Sequence, residues 1–211
     1  MAKRARAGKA ASDGKAAGSA EDRMVDVALA LAAGRPWNAI SLAEIAGEAG
    51  LPLDQAYAAC PSRLSILTAL QRRIDRAALA EVVPEGEDGQ RDRLFDLLMR
   101  RFDALRPHRA GLRSILRDSR GDPHLLCGAP RLLRSMAWML EGVGISAAGW
   151  RGRLRAHLLA GLYLSVFQIF LDDDSTDLAK TMAALDRRLR RGGSWLGLVG
   201  APADAAAASN G

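Results

Sequence analysis

Few side chains in this sequence could do covalent or metal chemistry. Its two cysteines, Cys60 and Cys127, and its three histidines, His108, His124 and His157, stand far apart in the chain. Two cysteines build neither a disulfide scaffold nor a cysteine-rich zinc module. The acidic run Asp172-Asp173-Asp174 could draw a cation, but no second cluster of ligands accompanies it. With Ser175 and Asp177 just beyond, the run reads as the start of a helix, where Ser175 caps and Asp177 meets the positive end of the dipole. Cys60 has no charged neighbour pattern that would lower its pKa and reads as a small core residue. There is no Gly-rich phosphate loop, no Cys/His metal spacing and no serine elbow motif. Neither an enzyme, a metal site nor a cofactor is expected.

The side chains that remain suit recognition rather than reaction. Gln55 could pair with a base edge in a major groove. Tyr57 could reach a phosphate or simply pack its ring. Ser41, Ser62 and Arg63 stand where helices begin, among amides open to a phosphate backbone.

These residues need helices to position them. Met24, Val25, Ala28, Leu29 and Ala32 recur on one face after Asp22, and Gly34 stops that helix. Ser41-Leu42-Ala43-Glu44 is a capping box opening a short helix with Leu42, Ile45, Ala46 and Ala49 inward. Gly50 ends it, Pro52 begins a helix of Leu53 to about Ala59, and Pro61-Ser62 begins a longer one with Leu64, Leu67, Leu70 and Ile74 in register. After the break at Glu85–Gly89, helices are expected over Arg91–Leu105, His108–Asp118, Pro123–Gly142, Trp150–Leu171 and Ser175–Arg191. Nothing alternates with period two, so the fold class is all-α. The domain reading is a disordered basic arm over 1–20, a three-helix reader over 21–75 whose last helix runs to about 83, a helical domain over 90–192, and a loose tail over 193–211.

The 211 residues are 49% hydrophobic and only 5% aromatic, so the core must be aliphatic and helix-favouring. The net charge of +6 is unevenly placed. Lys3, Arg4, Arg6, Lys9 and Lys15 make the arm basic, whereas acids outnumber arginines over 21–75. The apolar stretch Leu158–Leu171, about 14 residues, is too short to span a bilayer, and the first residues have no apolar run of a secretory signal. A cytoplasmic protein without a transmembrane segment is expected.

Two short helices hinged at Gly50 form a helix-turn-helix unit. The run Met24–Leu31, Gly34, Ser41–Ala46, Ala49-Gly50-Leu51, Tyr57, Ser62-Arg63 and Leu67 resembles the N-terminal domain of tetracycline-repressor-type (TetR) regulators. That resemblance implies homodimers, operator DNA as partner, and a small apolar ligand held in the larger domain. It departs from the family at Pro52, Leu53 and Cys60, and residues 53–59 carry no Arg or Lys. A second stretch, Leu171-Asp172-Asp173-Asp174-Ser175-Thr176-Asp177 with Thr181 and Leu185-Asp186-Arg187-Arg188-Leu189, resembles the lipid-binding accessory family of coenzyme Q (ubiquinone) biosynthesis. That family has the TetR fold, and the resemblance implies an isoprenoid or quinone pocket, a membrane-touching C-terminal helix and a degenerate reader.

With these resemblances, DNA contacts are expected at Ser41, Gln55, Tyr57, Ser62 and Arg63. The ligand pocket is expected at Phe102, Met136, Met139, Tyr163 and Phe167, which at helical spacing are core residues first. The dimer interface is expected at Leu158, Leu162, Val166, Met182, Leu185 and Leu189, from the apolar faces of the last two helices.

Overall fold

The computed structural model describes residues 20–80, 82, 89–118 and 128–196. The arm expected over 1–20, apart from residue 20, lies outside them. So do the start of the helix expected from Pro123, His124, Cys127 and the tail beyond 196, whereas the fourth helix, expected to run to about 83, ends at Leu79. All regular structure in the described residues is helical, and it is reached without a strand. Helix α1 (residues 20–34) is followed by a 3-10 turn, Trp37–Ala39, then α2 (Leu42–Glu48), α3 (Leu53–Ala59) and α4 (Arg63–Leu79). Then come α5 (Gln90–Leu105), a second 3-10 turn (Arg106–His108), α6 (Arg109–Asp118), α7 (Ala129–Gly142), α8 (Gly149–Leu171) and α9 (Ala179–Leu196).

The chain forms two compact units, one of Met1–Asp75 with Leu105–Ala129 and the other of Arg76–Ala104 with Pro130–Gly211. In the first, Met24, Val25, Ala28, Leu29 and Ala32 of α1 are buried as their spacing demands. The α4 stripe is rotated from the expected one: Ile66, Ala69, Leu70, Ile74 and Ala78 are buried, while Leu64 and Leu67 lie at its edge. Helix α6 comes back to this unit because Gly111 lets it approach α1 closely; a Cβ there would lie 2.4 Å from the Leu29 carbonyl oxygen. Asp118 at the end of α6 accepts the Trp37 backbone N–H at 2.6 Å, and Ser114 donates to the Arg35 carbonyl.

In the second unit, Leu94, Leu97, Leu98 and Phe102 of α5 are buried, with Met136, Met139 and Leu140 of α7 and Leu159, Tyr163, Val166 and Phe170 of α8. Helix α8 has 23 residues and is long and apolar enough, by length and composition, to cross a membrane. The expectation from Leu158–Leu171 alone counted only its apolar half.

Helix α9 begins at Ala179, later than Ser175. Leu178 has φ 55 and is buried. A left-handed residue breaks helical register, so no helix can run through it from Ser175. Ser175 still serves the helix end, its hydroxyl accepting from the Ala179 N–H at 2.9 Å, with Asp177 accepting the same N–H at 3.3 Å. Asp173 takes the deeper amide. Its side chain, fully buried, accepts from the Thr181 N–H at 2.8 Å and the Thr181 hydroxyl at 2.7 Å, and from Ser175. Burial raises the Asp173 pKa, but the hydrogen bonds from Ser175 and Thr181 outweigh it and hold the carboxyl at about 2.

Candidate nucleic-acid interface

The reader is built from local rules. The Ser41 side chain accepts from the Glu44 N–H at 3.1 Å, capping α2. The Glu44 carboxyl is held below its ordinary range by its hydrogen bond to Arg35, against some desolvation, with help from the Arg35 charge and the Ser41 backbone N–H. The same carboxylate pairs with Arg35. At the other end the Leu51 N–H reaches the Ala46 carbonyl at 2.9 Å and the Gly50 N–H reaches Gly47 at 3.0 Å. This paired closure needs a left-handed residue, and Gly50 supplies it with φ 63.

Helix α3 buries Ala56 and exposes the rest of its outer face: Leu53, Asp54, Gln55, Tyr57 and Ala58. Gln55 is therefore available to a groove, and Tyr57 stands 72% exposed. A cleft of about 270 Å³ runs beside this helix, lined by Met24, Leu42, Leu53, Ala56, Tyr57 and Cys60 among others. Cys60 is buried, and its thiol is pushed up to about 11 by that burial and by the Glu21 charge, so it stays protonated.

Charge at the reader differs from what phosphate contact requires. Residues 41–62 contain Glu44, Glu48 and Asp54 and no Lys or Arg. Arg63 folds back: its guanidinium donates to the Asn38 carbonyl at 3.3 Å and to the Ile40 carbonyl, and lies 5.5 Å from the Trp37 ring centroid. It ties the start of α4 to the 3-10 turn. Ser62 is likewise engaged in a local cap, its Oγ accepting from the Ser65 N–H at 3.1 Å while Ser65 Oγ accepts from the Ser62 N–H at 2.9 Å. On α4, Arg73 pairs with Asp26 at 2.8 Å and meets His108 Nε2 at 3.0 Å. Apart from the Ser62–Ser65 cap, none of these partnerships has a sequence signal, because their spacings exceed any helical i,i+4 relation.

The five residues expected to line a pocket do not all reach the surface. Phe102, Met136, Met139 and Tyr163 are buried and Phe167 is half-buried. Phe102 stacks on Tyr163 with centroids 5.1 Å apart and packs against Phe170 at 5.2 Å; Phe167 joins Tyr163 at 5.8 Å. Sequence reasoning missed Arg101, buried beside this cluster. Its guanidinium donates to Ser135 Oγ at 2.8 Å and lies 4.9 Å from the Tyr163 ring centroid.

Of the residues named for a dimer interface, Leu158 and Met182 are exposed and Leu162 is half-buried. Val166, Leu185 and Leu189 are buried inside the protomer and present no surface to a partner. Among the described residues no group of three or more His, Cys, Asp or Glu side chains gathers as a metal site.

No family model and no curated protein matches this chain. Solved structures do. It is similar to a TetR transcriptional regulator from Nitrosomonas europaea, with 25% identity over 82% of this chain and 98% of that one, at a TM-score of 0.69. A TetR transcriptional regulator from a Rhodococcus species matches at 20% identity, 81% and 96% coverage and a TM-score of 0.57. A TetR-family transcriptional regulator from Streptomyces coelicolor matches at 19% identity, 85% and 86% coverage and a TM-score of 0.53. The paired short helices hinged at Gly50, followed by the larger helical unit, are thus parts of one architecture, and the chain has the fold of the TetR-type transcriptional regulators.

Proposed function

We propose that this protein is a TetR-type one-component transcriptional regulator, acting in the cytoplasm as a homodimer that binds operator DNA and responds to a small apolar ligand. The observation that carries this reading is the capped α2–Gly50–α3 pair with Gln55 on its open face, set in a fold that three proteins named as transcriptional regulators share. Gln55 reads a base edge, Tyr57, Ser41 and Ser62 meet the backbone, and Arg63 holds the reader in shape. The ligand enters beside Phe167 and rests against Tyr163, Phe102, Met136 and Met139, where flexible methionines fit varied apolar shapes. No catalytic step is assigned to it.

A second reading has its own observation. The absence of any Lys or Arg from residues 41–62, with Leu53 and Tyr57 exposed, suits a reader that no longer meets polyanions. The protein is then a lipid- or quinone-binding accessory protein of the TetR fold. Binding of the full chain to its own upstream DNA at two salt concentrations separates the two. The regulator reading expects sequence-selective binding that weakens with salt, and a Gln55→Ala variant that loses about 1–3 kcal/mol of discrimination while remaining folded. No selective binding passes the lead to the second reading, whereas selective binding unmoved by Gln55→Ala keeps the regulator and takes the base contact away from Gln55.

The dimer rests on Leu158, Leu162 and Met182 of α8 and α9, packed about a two-fold axis. Sedimentation velocity at micromolar concentration should find a dimer for the native chain and a monomer for Leu162→Lys. A native chain that sediments as a folded monomer ends this part of the reading.

A further inference from the structure

The first half of α8 does not look like the surface of a helix that faces only water. Trp150 is 66% exposed and Leu154 50%, and at a spacing of four residues they form one stripe that ends before Leu158, which is assigned above to the dimer. Arginines border that stripe on both sides. A turn of 100° per residue sets Arg153 and His157 along one edge and Arg151 and Arg155 along the other. Arg151 lies 5.4 Å from the Trp150 ring centroid, and Arg155 donates to the Ser146 carbonyl at 3.3 Å. Arg151, Arg153 and Arg155 make no salt bridge among the described residues, and the sequence holds no Asp or Glu from 142 to 171. On α7, one turn before the connection 143–148, Trp138 is also 60% exposed.

We propose that this end of α8 docks on an anionic lipid bilayer, with Trp150 and Leu154 at the level of the headgroup–acyl boundary and Arg151, Arg153 and Arg155 against lipid phosphates. The surface is separate from the α2–α3 reader, so it stands whether or not that reader binds DNA. Charge complementarity selects the occupant. An apolar stripe edged by long cationic side chains matches a membrane interface, because the ring and the leucine sink while the guanidinium groups stay at phosphate level. A second copy meeting this half of α8 with its own would set arginines against arginines, with no acid there to answer them, while the dimer contacts assigned above lie farther along the helix from Leu158 on. A nucleic-acid duplex would satisfy the arginines and leave Trp150 and Leu154 against phosphate and water.

The test is co-sedimentation of the full chain with vesicles of phosphatidylcholine alone and of equal parts phosphatidylcholine and phosphatidylglycerol, at low and high salt. Binding is expected on the mixed vesicles, weakly or not at all on phosphatidylcholine, and it should fall with salt. Each of Arg151→Gln and Arg153→Gln should lower the partition coefficient about fivefold. Trp150→Phe should remove most of the blue shift in tryptophan emission on binding, whereas Trp138→Phe should leave most of it. These side chains are exposed, so the variants should keep the native thermal midpoint. The proposal is overturned if the mixed vesicles do not sediment the protein. It is also overturned if the arginine variants bind undiminished, or if soluble polyglutamate displaces the protein from vesicles while Trp150 stays open to iodide quenching. That last result marks a site for acidic protein rather than for lipid. Loss of lipid binding leaves DNA selectivity and its Gln55 dependence untouched, so the two readings fail separately.

Discussion

Asp173→Ala should lower the stability of the second unit by about 3 kcal/mol, because it removes the acceptor of two buried donors at once. The Thr181 N–H and hydroxyl both end on Asp173 Oδ2, and Thr181 is itself fully buried. Neither donor has water to turn to once the carboxylate is gone. For a chain of this length the loss should appear as a thermal midpoint about 6–12 °C lower. The charge contributes in its own right. The carboxyl titrates at about 2 in the folded chain against an ordinary 3.8, so the unfolded state binds the proton first. A depressed folded pKa gives stability that is complete above the unfolded value and drains away as pH falls toward the folded one. The native chain should therefore lose about 2 kcal/mol between about pH 5 and pH 2 through this group alone. Asp173→Asn should lack that acid slope while keeping much of the geometry. Denaturant titrations of the native chain and both variants at pH 7 and pH 3 check this: equal acid slopes in the native chain and Asp173→Asn would show that Asp173 is not the group responsible.

The same carboxylate shows where sequence reading reached its limit. The run Asp172–Asp177 was legible as a helix start, since aspartate and serine accept unpaired amides there. Which residue did the capping was not legible. It depended on Leu178 taking a left-handed φ of 55, a choice made by burying its side chain rather than by any local preference of leucine. The network also gives a structural reason for the segment that resembles the coenzyme Q accessory family: Asp173, Ser175 and Thr181 hold the start of α9 together. A likeness carried by those three positions speaks for fold before it speaks for ligand.

The reader divides in the same way. The Ser41 cap and the Gly50 turn could be read from the chain because their interactions close within five residues. The fate of Arg63 could not. As a charge following a helix cap it suits a phosphate, yet its guanidinium reaches carbonyls 23 and 25 residues away and the face of Trp37. The return of α6 to the first unit depends likewise on Gly111, whose lack of a side chain matters only because Leu29 lies across from it. Three of the six residues expected at a dimer interface, Val166, Leu185 and Leu189, are buried in the protomer. Leu185 and Leu189 are apolar at helical spacing, and that spacing fixes a stripe without saying whether the stripe faces the chain's own core or another's.

The aromatic cluster of the second unit supplies the other large effect. Phe102→Ala should cost about 3–5 kcal/mol, the range for a fully buried phenylalanine whose site cannot collapse. The neighbours are unsuited to collapse. Tyr163 stacks on the ring at an interplanar angle of 17°, and Phe170 leans on it at 38°. Tyr163 is further held by the Arg101 guanidinium on its ring, which Ser135 anchors in turn. Planar groups fixed on two sides leave a gap when the third is removed. That gap should be apolar and dry, and such cavities bind benzene. Saturating benzene should therefore raise the thermal midpoint of Phe102→Ala and leave that of the native chain nearly unchanged. The magnitude separates two roles for Phe102. A side chain on the wall of an open pocket has solvent or ligand on one side and would cost about 1 kcal/mol or less on truncation, while a ring wedged between two others costs several. A loss near 1 kcal/mol with no benzene effect would place an existing cavity against Phe102 in solution. A loss above 3 kcal/mol with benzene rescue would make Phe102 the floor on which any ligand entering past Phe167 must rest.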